Sequence, residues 1–461
     1  MRSFLIRCLG FSLVFIFSAN CSNSQGLSNS PYSRYGIGMP ESSSGYAQNY
    51  SMGGLTAAMQ NDTLTPFNIN VNNPASYPYN RMTTFEAGIA SNTSFLGSSG
   101  QSGQTINGTS LQYIAFAFPV QKWWGSGLSL QPMSSIGYNV SQTAALDSVT
   151  AGAINYFYTG SGGVDKLAWS NGFKLGGLSL GINTSYLFGY INEQKQIQFP
   201  GATSAGMNTG YFNAESTSNT IVSDLYFDYG AQYSFTIDST RRHHGAKQAL
   251  RDNWKFIFGA TYSAISDINV KTNTLTTNYV LNTYNLPAVQ DTIVNTTGAK
   301  SKIVLPGMYS LGLTIKHGEK LTIGIEYGVQ KWSEYQFLGE NQNLPDTKTF
   351  KIGGQYTPSR RSDILSHNQP YSKKISYRAG FRYGTMPFLP TPSGSQVNEA
   401  VLTLGCGMPV GFLYPRRNFN MLNIGVEIGQ MGSPSLLQER FFNVVLGISL
   451  NDLWFIKPKF D

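Results

Sequence analysis

The sequence predicts an all-β fold, a transmembrane antiparallel β-barrel of about fourteen strands with an N-terminal plug in its lumen. Three observations predict it. Long segments alternate with period two between an apolar face and a small or polar face, polar loops of unequal length separate them, and tryptophans fall at segment ends. The composition agrees, because only 12% of residues are charged and 13% aromatic while 49 are glycine, yet the mean hydropathy is only -0.18. A chain that is weakly charged and still polar on average fits strands with two opposed faces.

The first element is a leader. Met1 to Gly26 places Arg2 and Arg7 before the apolar run Cys8 to Ala19 and then small and polar residues, the layout of a secretory signal peptide over residues 1–26. Cys21 follows Ser18-Ala19-Asn20, a poor lipobox because Asn20 stands where a small residue is usual. Cys8 and Cys21 lie in the leader, so Cys406 alone is left in the exported chain and no intramolecular disulfide forms. No later run reaches the roughly 18 apolar residues of a membrane helix. The formal charge is +8, of which the leader supplies Arg2 and Arg7, and no dense basic stripe is interleaved with aromatics. Nucleic acid is therefore excluded as a partner, and the expected setting is the outer membrane and its lipid.

Residues 27–80 come next, rich in Asn, Pro, Gly and Tyr from Gly53-Gly54-Leu55 to Asn73-Pro74-Ala75-Ser76-Tyr77 and with neither helical nor strand period. They read as a compact hatch within the barrel, whose candidate gating residues are Gly53, Gly54, Asn73, Pro74 and Ala75. A ligand-responsive gate and a permanent seal both fit these residues.

The barrel occupies 81–461. Strands are expected near 83 to 95, 109 to 121, 125 to 142, 164 to 175, 178 to 198, 218 to 238, 253 to 278, 301 to 317, 320 to 336, 347 to 358, 375 to 388, 395 to 411, 418 to 432 and 438 to 455. The even number returns both chain ends to the periplasmic side. Residues 150–160 are assigned to a loop, since another strand would make the total odd. Polar stretches at 96–108, 143–163, 199–217 and 279–300 are expected as extracellular loops, and the short links, such as Trp123-Trp124-Gly125, Gly176-Gly177 and His317-Gly318-Glu319, as periplasmic turns. Longer periplasmic links at 239–252 and 359–374 collect Arg241, Arg242, Lys247, Arg251, Arg360, Arg361, Lys373 and Lys374. Trp123, Trp124, Trp254, Trp332 and Trp454 are expected at the headgroup level, with Trp169 in mid-strand.

Strand phase sorts the charges. Leu178, Leu180, Ile182, Thr184, Tyr186, Phe188 and Tyr190 form one face against Ser179, Gly181, Asn183, Ser185 and Gly189, with Leu187 out of pattern. By the same reading Glu86, Asp224, Asp228, Glu326, Lys351, Arg378, Arg382 and Glu427 fall on lumenal faces, because a lipid-facing Arg or Lys at mid-membrane costs about 2–4 kcal/mol. They either pair with one another and the plug, the reading favoured here, or line an ion or substrate path. Pro132 interrupts the third strand, as a kink that opens the wall or as an edge irregularity. Pro119 and Pro306 are placed near strand ends. The four histidines, His243, His244, His317 and His367, all map to periplasmic links, so neither an enzyme site near the outer rim nor a metal site is expected. Gly36-Ile37-Gly38 and Gly405-Cys406-Gly407 lack the strand, turn and helix context of a phosphate loop, and no cofactor is expected.

Gly53-Gly54 with Ala57 and Asn73-Pro74-Ala75, the pair Ala115 to Val120 and Gly127 to Pro132, and the end Leu450 to Lys457 together resemble the long-chain fatty-acid transporter (FadL) family, in a branch similar to that of Bacteroidota. The resemblance spans almost the whole exported chain. It implies a fourteen-stranded barrel, a lumenal hatch, a kinked third strand for lateral exit with Pro132 at the kink, and passive uptake of hydrophobic small molecules. Ser30 to Gly36 departs from the family's usual beginning. The family also includes a shuttle barrel of a secretion system, which implies the alternative of a plugged barrel acting through outer-membrane or periplasmic protein partners in secretion or insertion.

Overall fold

The computed structural model describes residues 30–40, 46–61, 68–98, 103–145, 153–199, 212–237, 253–282, 284, 286–359, 370–388, 395–410, 420–434 and 437–452. The leader, Cys21, Trp454, the three other histidines besides His317, and the arginine clusters of the two long periplasmic links lie outside the described residues.

The described residues form one closed antiparallel barrel of fourteen strands. In chain order these are β1 Thr83–Gly97, β2 Gln104–Gln121, β3 Trp124–Ala145, β4 Ala153–Leu175, β5 Leu178–Gln198 and β6 Asn213–Ile237. β7 follows in two pieces, Trp254–Ser263 and Ser266–Leu281, and β8 in two more, Pro287–Leu305 and Met308–His317. The remainder are β9 Leu321–Gln330, β10 Thr347–Tyr356, β11 Ser376–Thr385, β12 Asn398–Val410, β13 Asn420–Ser433 and β14 Leu437–Asp452. Closure is direct, for β14 pairs with β1 from Gln438 opposite Gly97 to Asp452 opposite Thr83.

The period-two pattern explains the wall. Leu180, Tyr186, Ile325, Tyr327, Phe381 and Tyr383 all stand exposed on the outer face, where lipid rather than water covers them. Charged and small residues of the same strands turn inward and are buried. Trp123 and Trp254 lie exposed at the short-turn end and Trp169 on the outer face.

Several expectations need correction. Residues 279–300 are not a free loop; β7 runs to Leu281 and β8 starts at Pro287, so they are the tip of a long hairpin. Residues 153–160 begin β4 and pair with β3 and β5, leaving the strand count at fourteen. Residues 279–300 hold four threonines and no regular apolar face, and the sequence reading sets 153–160 aside only to keep the strand count even. Pro306 directly follows the strand piece that ends at Leu305, in the Pro306-Gly307 break that divides β8, level with the Ala264-Ile265 break in β7. Trp332 is no membrane anchor either. It turns into the lumen and packs with Ile37, Leu187, Tyr335 and Leu344, which also accounts for Leu187, fully buried on the otherwise small and polar face of β5.

Residues 30–40 lie at the long-loop end. Tyr32 stacks on Phe388 at 5.4 Å and its hydroxyl donates to the Leu437 carbonyl at 2.7 Å. The chain then descends the lumen to Tyr79 and enters β1 at the short-turn end, so the segment before the barrel threads the lumen from one mouth to the other. Both ends of the barrel sheet are at the short-turn end, as expected, but the first described residues are at the opposite one.

Candidate functional site

The site comprises the hatch, its seat in the wall, a cavity above it and an interruption beside that cavity. Gly53 and Gly54 both adopt left-handed backbone, with φ of 72° and 77°, where residues with a Cβ are strained. They reverse the chain after the short helix Ala47–Tyr50, and the Gly53 N–H donates to Thr403 Oγ1 at 2.8 Å. Asn73-Pro74-Ala75 opens the turn of helix Pro74–Tyr79: Asn73 accepts from the Ala75 N–H at 3.0 Å and Pro74 supplies a residue that needs no donor. Asn73 Nδ2 also donates to the Ala57 carbonyl at 2.6 Å, which ties the two halves of the hatch together.

The seat is a belt of glycines. Every strand from β3 to β14 presents one against the hatch: Gly125, Gly172, Gly181, Gly230, Gly259, Gly312, Gly324, Gly353, Gly380, Gly405, Gly425 and Gly447. Many are register neighbours, as Gly181 with Gly172 and Gly230, or Gly353 with Gly324 and Gly380. A Cβ at Gly259 would fall on the Ala57 carbonyl, and one at Gly353 on that of Met52. Only a lumen without side chains at this level has room for the hatch backbone. On β2 the belt gives way to Tyr113, whose ring stacks on Tyr46 at 3.8 Å.

Around the belt stand the lumenal charges, and the hatch uses them. Glu326 accepts from the Thr56 and Ala57 N–H groups at 2.7 Å each and from Lys351 Nζ at 3.1 Å, while Lys351 also donates to the Gly54 carbonyl. Glu427 accepts from the Tyr50 hydroxyl and from Arg382 at 2.8 Å; Arg382 reaches Glu399 at 3.1 Å as well. Glu86 accepts from the Ile69 N–H at 3.2 Å and from Ser449 at 2.8 Å. Asp228 pairs with Lys166 at 3.4 Å, and Arg378 donates to Gln355 and Asn423. Asp224 stands apart: in the stretch of β6 left unpaired by the β7 break, it accepts from the Asn269 backbone at 2.8 Å. Sequence reading missed Lys166, Glu399, Tyr50 and Gln232, whose amide donates to the Ala57 and Met59 carbonyls. It also missed the belt.

Above the hatch is a cavity of about 340 Å³. Its floor carries the paired charges Glu326, Lys351, Arg382 and Glu427, and above them apolar residues, Ile37, Met133, Leu305, Trp332 and Phe441, are mixed with polar ones that include Gln330, Glu399 and Glu439. The cavity also reaches Ile106, Gly108, Gln112, Met133 and Ser134, which flank an interruption in the wall. β2 and β3 pair only from Gln121 opposite Trp124 to Ile114 opposite Leu130. Continuing that register would set Gln112 opposite Pro132. Gln112 is skipped by a bulge in the β1–β2 ladder, and Pro132, with no N–H, lies at a bulge in the β3–β4 ladder. Beyond this level β3 has no pairing with β2, and Met39–Pro40 of the N-terminal segment pairs instead with Ser135 and Ser134.

A family model described as BamG matches residues 5–461, and no curated protein matches the chain. Among the solved structures similar to it are hydrocarbon transporters and channels. The toluene transporter TbuX of Ralstonia pickettii shares 13% identity over 88% of this chain and 98% of that one, with a TM-score of 0.52. The toluene transporter TodX of P. putida shares 14% over 87% and 97%, at 0.51, and the monoaromatic hydrocarbon channel CymD 11% over 90% and 98%, at 0.51. At such identities the likeness is one of fold, and all three are channels or transporters by description.

Proposed function

The chain belongs to the BamG family, and we propose that it is an outer-membrane barrel through which small hydrophobic molecules pass by diffusion, entering at the loops and leaving sideways between β2 and β3. The observation that carries this reading is the paired irregularity at Gln112 and Pro132, against which the cavity lies. A hatch seated on glycine in strand after strand blocks the straight route to the periplasm, whereas a wall without ladder bonds leads into lipid. A volume of about 340 Å³ is in the range of small-molecule sites. Met39–Pro40 is the latch of the opening in this reading, and Gly53, Gly54, Asn73, Pro74 and Ala75 hold the hatch that directs cargo to it.

The test is uptake of radiolabelled toluene by cells or proteoliposomes carrying the protein. Pro132→Ala restores the missing donor opposite Gln112 and lets the β2–β3 ladder continue, so uptake falls severalfold with the barrel still folded. Uptake equal to wild type in a folded variant would sink the lateral route.

A second reading, a subunit or scaffold of an outer-membrane secretion or insertion complex, is favoured by how firmly the buried ion pairs tie the hatch to the wall. Native pull-down from mild detergent separates the two. A stoichiometric protein complex supports the scaffold, and a solitary barrel with co-purified lipid supports transport.

A further inference from the structure

We infer that the cavity above the hatch selects organic ammonium cations, molecules with an apolar body and one protonated amine. The inference rests on the reading of that cavity as a chamber for small hydrophobic molecules and adds the charge of the preferred cargo. The described residues that line the cavity include five carboxylates and three cations. Lys166 is matched to Asp228, Lys351 to Glu326, and Arg382 is shared between Glu399 and Glu427. Glu439 is left over. Its side chain is 5% exposed, its oxygens accept from the hydroxyls of Ser30 at 2.5 Å and Ser94 at 2.8 Å, and it forms no ion pair among the described residues. Arg34 of the N-terminal segment is engaged elsewhere, donating to the Tyr35 hydroxyl at 2.7 Å. The links 98–103, 386–397 and 434–436, which join the strands at this end, contain neither Lys nor Arg. In a chamber with low-dielectric walls an excess of negative charge attracts a cation and disfavours an anion.

The register gives the acids a place. Glu399 is opposite Met431 on the β12–β13 ladder, and Met431 is opposite Glu439 on the β13–β14 ladder. The two carboxylate positions are thus two strand spacings apart, about 10 Å, with the Met431 side chain between them. Met39, Met386 and Phe441 line the same side of the cavity. Methionine side chains fit bodies of varied shape, and an aromatic face attracts a cation. Thr347 adds a polar group that the protein leaves unmet: it lines the cavity at 8% exposure, and its hydroxyl has no hydrogen-bond partner among the described residues. Acids set among sulfur and aromatic carbon suit a cation that carries hydrocarbon. A calcium-type ion would need roughly six to eight oxygen ligands, and a fatty carboxylate would meet charge of its own sign.

The experiment uses the full-length protein in amphipol at neutral pH and constant ionic strength. Three probes of similar size are titrated by calorimetry: benzylamine, whose amine is protonated there as that of lysine is, benzyl alcohol and benzoate. Wild type is expected to bind benzylammonium at least tenfold tighter than benzyl alcohol, and benzoate most weakly. Glu439→Gln, shown to be folded by its heat-modifiable migration, weakens benzylammonium binding at least fivefold and leaves benzyl alcohol binding within twofold of wild type. Wild type that binds benzylammonium no tighter than benzyl alcohol overturns the inference without any variant and leaves the route for neutral molecules standing. An undiminished preference in folded Glu439→Gln overturns it as well. If none of the three binds, the cavity is no chamber for small aromatic cargo, and the proposed route falls together with its charge preference.

Discussion

Glu326 shows how single residues hold the hatch. Its carboxylate satisfies two hatch N–H groups and the Lys351 ammonium at once, with almost no exposure to water. Removing one partner of a buried pair costs about 3–5 kcal/mol, because the other charge stays behind uncompensated. Glu326→Ala would strand Lys351 against the Gly54 carbonyl and orphan the Thr56 and Ala57 donors. The expected outcome is local: amide exchange at Thr56 and Ala57 accelerates by orders of magnitude, while amides in β9 and β10 stay protected. Equal protection at both would show that Glu326 does not fasten the hatch. Phase had placed this carboxylate in the lumen, but its partners were not legible in the sequence. Thr56, Ala57 and Lys351 meet it only through a register and a chain path that period-two alternation does not encode.

At the scale of elements, the N-terminal segment Ser30 to Pro40 is the one that joins the outer lumen to the stretch of β3 left unpaired by β2. It is anchored by Ser30 on Glu439 at 2.5 Å and Tyr32 on Phe388, and it ends as the two-residue strand on β3. Deleting Ser30 to Pro40 removes the two-residue pairing on β3 and leaves the belt contacts in place, so under the proposed lateral route toluene uptake is expected to rise while leakage of polar solutes stays at the wild-type level. A rise in both would mean that the segment seals the lumen rather than the wall. The strands themselves were legible wherever they cross lipid, as in Leu321 to Gln330, because only there does an apolar face alternate with a small one. Beyond the membrane the rule lapses, and residues 279–300 accordingly read as loop although they are paired. The register shift beside Pro132 has a residue that can announce it, a proline without a donor, whereas the bulge at Gln112 has none. The glycine belt was visible in principle as one lumen-phase glycine in strand after strand. It was read as generic smallness because its meaning appears only when the strands are set in register and the glycines form a ring.

The whole molecule is a barrel built around a foreign body. Fourteen strands enclose more space than the eight whose side chains fill a barrel, and less than the sixteen or more of open porins. The glycine belt widens the lumen further at the level where the hatch sits. The wall therefore cannot fill its own lumen, and without residues Gly53 to Tyr77 the belt would bound a water-filled passage. Such a deletion differs in kind from Glu326→Ala, for it admits water to Glu326, Lys351, Arg382 and Glu427 together, and hydrated charges do not carry the penalty of buried ones. The deleted barrel is thus expected to fold, keeping its heat-modifiable migration on gels. In planar bilayers it should conduct ions well above wild type, and proteoliposomes should admit small polar solutes that wild type excludes. A folded deletion variant with wild-type conductance would mean that the long-loop end, where Trp332, Tyr335 and Leu344 pack on Ile37, closes the lumen by itself. In that event the hatch would have no part in permeability, and its ties to the wall would serve the shape of the barrel alone.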